Sequence, residues 1–323
     1  MTRDRLGVCQ WFHFEAYEDV ERAVSELRAL GVKHLRTGIS WADFHRPGGQ
    51  AFYDWQMRQL RDFEVLLSVW HTPPSLSEDG TCNAPPRVLK DYADFIWLVI
   101  DRWGSQFADL ELWNEPNNNY KWAFIRHDPQ WRKFAEMIGL AAFTARAMGK
   151  RTVLGGMIPV DHHWLGLMRE HGLFSVIDVV AIHAFPGMWW SQAPNWDWSR
   201  DWNGWQAKLD YIGAHTDGRP VWVTESGLST WDLEKRREGL HAQQVARLYD
   251  AAASGAERLY WYNLIDLDPR REAIEGFHVD ENEYHLGLVE YGGRRKPAWY
   301  AMRALLGRDV QVAETPAAMG ALP

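Results

Sequence analysis

Hydrophobic and polar positions along the chain follow two rhythms that alternate from end to end. Short apolar runs such as Glu64-Val65-Leu66-Leu67-Ser68-Val69-Trp70 and Ile177-Asp178-Val179-Val180-Ala181-Ile182-His183 are almost unbroken, as a parallel strand buried on both faces requires. Between them lie longer stretches whose apolar residues recur every three or four positions, the spacing of an amphipathic helix. The runs predict strands near 6–10, 33–39, 64–70, 108–113, 151–155, 177–183, 219–224 and 258–264. Helices are expected over about 17–30, 53–63, 87–103, 129–148, 164–171, 205–214, 234–253 and 296–306. Gly31 and Gly255 stand where two of these helices should stop.

Eight strand–helix units in one chain imply an α/β fold of a particular kind, a single (β/α)8 TIM barrel. An open doubly wound sheet lacks support, because no Gly-x-Gly-x-x-Gly opens a helix. The length of 323 residues suits one barrel, and 46% hydrophobic content is enough to fill it. The barrel is expected over 1–307, with 308–323 as a loosely held C-terminal tail.

Charge and cysteine content narrow the partners. Lysine plus arginine number 35 against 43 acidic residues, a formal charge of −8 without long runs, which argues against nucleic acid. No apolar stretch approaches membrane-spanning length, and none follows the N-terminus as a signal peptide would, so a cytoplasmic protein without membrane partners is the expectation. Cys9 and Cys82 show neither metal nor redox spacing and read as free thiols. His162, His163 and His171 do not form a His-Glu-x-x-His motif, and Gly-x-Ser-x-Gly is absent, so no metal, cofactor or serine nucleophile is expected. Oligomeric state is not legible.

Composition does change the picture at one point: there are 20 tryptophans. Many would serve as core. The group Trp189, Trp190, Trp196, Trp198, Trp202 and Trp205, in one loop-like stretch after strand six, instead suggests indole faces for stacking on sugar rings.

In a barrel of this kind chemistry occupies the C-terminal ends of the strands. Strand four ends Trp113-Asn114-Glu115-Pro116 and strand seven ends Thr224-Glu225-Ser226-Gly227. A carboxylate at such a point is either paired or perturbed. Two of them facing each other across the mouth supply what glycosidic cleavage needs, a proton donor and a second carboxylate.

These two strand ends resemble the acid/base and nucleophile strands of glycoside hydrolase clan A. The resemblance extends over nearly the whole chain, including Leu286-Gly287-Leu288-Val289 and Lys296-Pro297-Ala298-Trp299-Tyr300. It implies a retaining β-glycoside hydrolase acting on carbohydrate by double displacement, with Glu115 as acid/base and Glu225 as nucleophile. It further implies that Asn114 bonds the sugar 2-hydroxyl, that Arg36 bonds and keeps ionised the nucleophile, and that His71 and His183 line the sugar subsite. Trp261 is expected as the floor under the sugar, with Trp113, Trp189 and Trp190 as further contacts. The Arg36–Trp41 stretch, Trp-Asn-Glu-Pro-Asn and the strand-six histidine are most similar to family 39, which includes β-xylosidases, with family 5 next. The chain departs from the clan at Phe185, where many members carry a tyrosine that bonds the nucleophile; Tyr262 or Tyr284 would supply that hydroxyl, or the bond is absent. A binding barrel without turnover and a transglycosidase with the same covalent intermediate are the alternative readings.

Overall fold

The computed structural model describes residues 4–186, 188, 203–231, 237–272 and 281–307. Eight parallel strands close on themselves in sequence order, β1 pairing with both β2 and β8. They are β1 (Leu6–Cys9), β2 (His34–Ser40), β3 (Glu64–Trp70), β4 (Asp109–Leu112), β5 (Arg151–Met157), β6 (Val179–His183), β7 (Val221–Ser226) and β8 (Arg258–Tyr262). The expected (β/α)8 barrel is therefore present. No helix among the described residues is long and apolar enough to cross a membrane.

The helical layer is α1 (Tyr17–Leu30), α2 (Trp41–Phe44), α3 (Gly49–Leu60), α4 (Lys90–Trp103), α5 (Phe124–His127), α6 (Arg132–Ala147), α7 (His162–Glu170), α8 (Trp205–Gly213), α9 (Glu238–Ala253) and α10 (Pro297–Leu306). In α1 the buried residues are Val20, Ala23, Val24, Leu27 and Leu30, the stripe its spacing foretold. Each large aliphatic side chain buried this way contributes roughly 1.5–3 kcal/mol. Gly31 closes α1 at φ 77°, a left-handed position glycine adopts without the Cβ penalty. Pro297 opens α10, where its missing N–H costs nothing.

Two short helices, α2 and α5, were not foreseen. Ser40 ends β2 and caps α2 by accepting a hydrogen bond from the Asp43 N–H at 3.1 Å, so a turn of helix starts where the strand stops. Pairing among β5–β8 is less regular than pairing among β1–β5. Pairing of β6 with β7 runs Ile182↔Val223 and then His183↔Glu225, so one extra β7 residue intervenes. Similar shifts mark β5–β6 and β7–β8. Such irregularities re-aim side chains at strand ends, and here the shift sets Glu225 beside His183. Cys9 and Cys82 are free, as expected.

Candidate active site

Arg36 organises the centre of the barrel mouth. Its guanidinium is fully buried and bonds Glu111 at 2.7 Å, Glu225 at 2.5 Å and the Asn114 Oδ1 at 2.7 Å. One cation thus serves two carboxylates, from β4 and β7, and fixes the amide that precedes Glu115. Its Cζ also lies 4.9 Å from the Trp11 ring centroid. A planar fork with five donors suits this division of partners; a lysine has no equivalent geometry.

Glu225 is almost enclosed, with a side chain 6% exposed, and besides Arg36 it accepts a long 3.4 Å bond from the Trp11 indole. Burial raises its pKa above the ordinary 4.5, while His183 and Arg36 pull it back and Glu115 pushes it further up. Arg36 therefore moderates the rise without abolishing it, because desolvation is the larger effect. His183 is buried, and that desolvation lowers its pKa to about 4. The imidazole is consequently neutral at neutral pH and lends Glu225 little cationic help there.

His183 joins the two glutamates. Its Nδ1 is 2.8 Å from Glu115 Oε1 and 3.5 Å from Glu225 Oε2. Its Nε2, like the Thr224 hydroxyl, has no hydrogen-bond partner among the described residues. Both atoms crowd one face of Gly156 on β5, where a Cβ would sit 2.1 Å from Nε2 and 2.7 Å from Oγ1. Gly38 on β2 gives the same kind of clearance to the Trp11 ring, at 2.1 Å.

Glu115 reaches this cluster through a strained turn. Trp113 and Glu115 have φ of 72° and 47°, in the left-handed region that costs side-chain-bearing residues of order 1–3 kcal/mol each. The surroundings hold them there: the Trp113 N–H donates to Val69 O, its indole donates to Lys121 O, and Glu115 O accepts from the Asn118 N–H, each at 3.0 Å. Glu115 keeps 13% of its side chain exposed, more than Glu225. One ligand atom from each of Glu115, His183 and Glu225 lies within 4.8 Å of the others. These three are also the one group among the described residues with convergent metal-type ligands.

Arg36, Asn114, Glu115, His183 and Glu225 are thus brought together. His71, at φ 67°, stacks on Trp70 with ring centroids 3.7 Å apart and faces the neighbouring cavity. Two expected contacts are elsewhere. Trp113 is fully buried behind the site, edge-on to Trp122 and Tyr92. Trp261 is 1% exposed, donates to Leu286 O and packs its ring against His241 of α9, so it faces the helical layer and forms no floor. Along β8 the side chains alternate, and the ring that meets β1 inside the barrel, against Gly7, is that of Tyr260. The expectation chose the right strand and the wrong face. Trp189 and Trp190 lie outside the described residues. Of the tyrosines considered for the nucleophile, Tyr284 donates to Arg271 O instead. Sequence reading missed Glu111 and Trp11, although Glu111, an acidic residue inside the apolar strand Asp109–Leu112, was itself a signal.

Comparison with known proteins bears on the fold. No protein-family model matches the chain. Among solved structures it is similar to a family 39 glycoside hydrolase from Bacteroides cellulosilyticus WH2, at TM-score 0.62 and 16% identity, covering 95% of this chain and 64% of that one. A GH39 β-xylosidase from Caulobacter crescentus gives TM-score 0.67 and 16% identity, with 93% and 70% covered. A GH5_18 protein from Bifidobacterium longum subsp. infantis gives 0.66 and 16%, with 94% and 78% covered. A curated wheat (Triticum aestivum) protein, 4-hydroxy-7-methoxy-3-oxo-3,4-dihydro-2H-1,4-benzoxazin-2-yl glucoside β-D-glucosidase 1d, is 25% identical over 114 residues, 32% of this chain and 20% of its own. The chain therefore spans about two thirds of the family 39 structures and a fifth of the wheat protein. At such identities the common property is the barrel itself, and families 39 and 5, the two resemblances drawn from the strand-end motifs, both stand among its structural neighbours.

Proposed function

We propose that the chain is a retaining β-glycoside hydrolase. The observation that carries this reading is the spacing of its two carboxylates, with oxygens of Glu115 and Glu225 within 4.8 Å. Inverting enzymes hold their carboxyl groups ~6.5–9.5 Å apart to admit a water, whereas retaining ones hold them ~5–5.5 Å apart.

In the first step Glu225 attacks the anomeric carbon while Glu115 protonates the departing oxygen, so the C–O bond breaks as the glycosyl ester forms. In the second, Glu115 takes a proton from water, the water oxygen bonds the anomeric carbon, and Glu225 leaves. Two inversions give net retention. Arg36 favours the charged form of Glu225 against its burial and stabilises it as a leaving group. Because Asn114 gives its carbonyl oxygen to Arg36, its amide nitrogen is left to donate to the sugar 2-hydroxyl. Neutral His183 accepts from protonated Glu115 in one tautomer and donates to its carboxylate in the other, which suits both of that residue's roles.

The test uses dinitrophenyl β-glycosides of xylose, glucose, galactose, mannose, fucose, arabinose and glucuronate. Glu225→Ala should lose nearly all turnover. Glu115→Ala should retain more on these activated leaving groups, and added azide should rescue it as a β-glycosyl azide. An α-glycosyl azide, or turnover undiminished in Glu225→Ala, would refute the mechanism.

A further inference from the structure

Beside the carboxylate pair the barrel mouth opens into a cavity of about 600 Å³ walled by the segments that follow β1, β2, β3 and β8. Trp11, whose indole reaches Glu225, forms its inner wall, and His71 flanks it. Neither glutamate lines it, so it lies next to the reacting centre, on one side of it. Its volume falls in the range of sites that hold drug-sized ligands, roughly 300–1,000 Å³, more than one pyranose ring needs.

Direction follows from Glu115 and Trp11. The leaving oxygen must lie against Glu115. The 2-hydroxyl, one carbon from the reacting centre, is held by Asn114, which Arg36 of β2 anchors at 2.7 Å. The cavity meets the carboxylate pair through Trp11, whose indole reaches Glu225, so it lies on the nucleophile's side of the pair and continues the sugar that keeps its anomeric carbon.

The walls of the cavity are tied together. Arg46 pairs with Asp43 at 3.1 Å and lies over the Phe14 ring at 4.3 Å. A 2.9 Å hydrogen bond between His13 Nε2 and Glu272 O joins the loop after β1 to that after β8. The charged lining is Glu15, Asp43 and Glu272 against Arg46 and Arg271. With three carboxylates against two guanidiniums, the lining among the described residues carries no surplus of cation to anchor a sulfate or uronate. Carboxylates and guanidiniums beside the Trp11, Phe12 and Phe14 rings suit the hydroxyls and C–H groups of a neutral sugar.

We propose that this cavity is a second glycone subsite for a neutral sugar, so that the enzyme releases a disaccharide or a longer unit from a β-linked glycan. The proposal rests on the retaining-hydrolase reading above.

Matched nitrophenyl β-glycosides of glucose and cellobiose, xylose and xylobiose, and mannose and mannobiose test it. For the sugar that is cleaved, kcat/KM should be at least tenfold higher on the disaccharide, with intact disaccharide as first product. Glu15→Ala combined with Glu272→Ala should lower turnover of the disaccharide glycoside several-fold more than that of the monosaccharide glycoside. Equal rates, single sugars released first, or an unchanged ratio in the double variant would overturn the subsite. Failure of the parent reading is recognised separately, as turnover that survives in Glu225→Ala. If none of the six is cleaved, calorimetry with cello-, xylo- and mannotetraose on Glu225→Ala decides: binding weakened by the double substitution supports the subsite, and no binding to any sinks it.

Discussion

Replacing Arg36 by methionine removes the one cation that Glu111 and Glu225 share. Both carboxylates sit in protein interior, Glu111 at 0% and Glu225 at 6% side-chain exposure, and the guanidinium between them is at 0%. Breaking a buried pair by deleting one partner costs about 3–5 kcal/mol, because the remaining charge is left without compensation. Against a usual total of ~5–15 kcal/mol that is a large fraction. The deficit should also depend on pH. Without Arg36 the folded-state pKa of Glu225, already raised by burial, rises further above its unfolded value. An acid raised in this way destabilises the fold at pH above its folded pKa, and the penalty fades as pH falls toward the ordinary value of 4.5. Urea unfolding of wild type and Arg36→Met at pH 7 and pH 5 measures this directly, and the difference between the proteins should shrink at pH 5. A deficit below ~1 kcal/mol at pH 7, or one that grows on acidification, would refute the account of Arg36 as a shared counter-ion. Glu111→Gln is the companion: with Arg36 left to Glu225 alone, the acid limb of kcat/KM should move down by about one pH unit.

Other consequences follow from the same geometry. Gly156→Ala drives a methyl into His183 and Thr224, so stability should fall by about 1–3 kcal/mol and kcat/KM at least tenfold; wild-type values for both would show the clearance to be dispensable. His183, with its pKa lowered to about 4 by burial, should show no histidine titration by NMR between pH 7.5 and 5, and a midpoint above 5.5 would contradict its burial as the dominant effect. Because the unfolded histidine takes up a proton near 6.5 and the folded one does not, its contribution of about 3 kcal/mol is present above pH 6.5 and is lost as pH falls toward 4. Buried Lys296 donates to Asp266 at 2.8 Å and Thr230 at 3.1 Å, and Asp266 accepts from the Gly287 N–H at 2.7 Å. Lys296→Met should therefore cost about 3–5 kcal/mol, and Asp266→Leu in the same chain should restore most of it; additive losses in urea unfolding would rule the pair out as a unit.

What the sequence determined by itself was whatever depends on local periodicity and strand order. The eight buried runs each became a strand, since a segment apolar on both faces has few other places to go. Glu115 and Glu225 were legible because a carboxylate at the end of such a run is conspicuous and strands four and seven of a closed barrel oppose each other. Arg36 and His183 were expected from the resemblance of their strands to clan A, not from a local pattern. Tertiary structure alone decided which way each side chain faced and what it shared. Trp261 and Tyr260 are adjacent in an unbroken apolar run, and with a period of two only the closed barrel assigns one to the helices and the other to the interior. The division of one guanidinium between Glu111 and Glu225, and the extra β7 residue that sets Glu225 beside His183, depend on register between strands far apart in sequence. No local pattern encodes those distances, because they are fixed by how eight strands close around a common core.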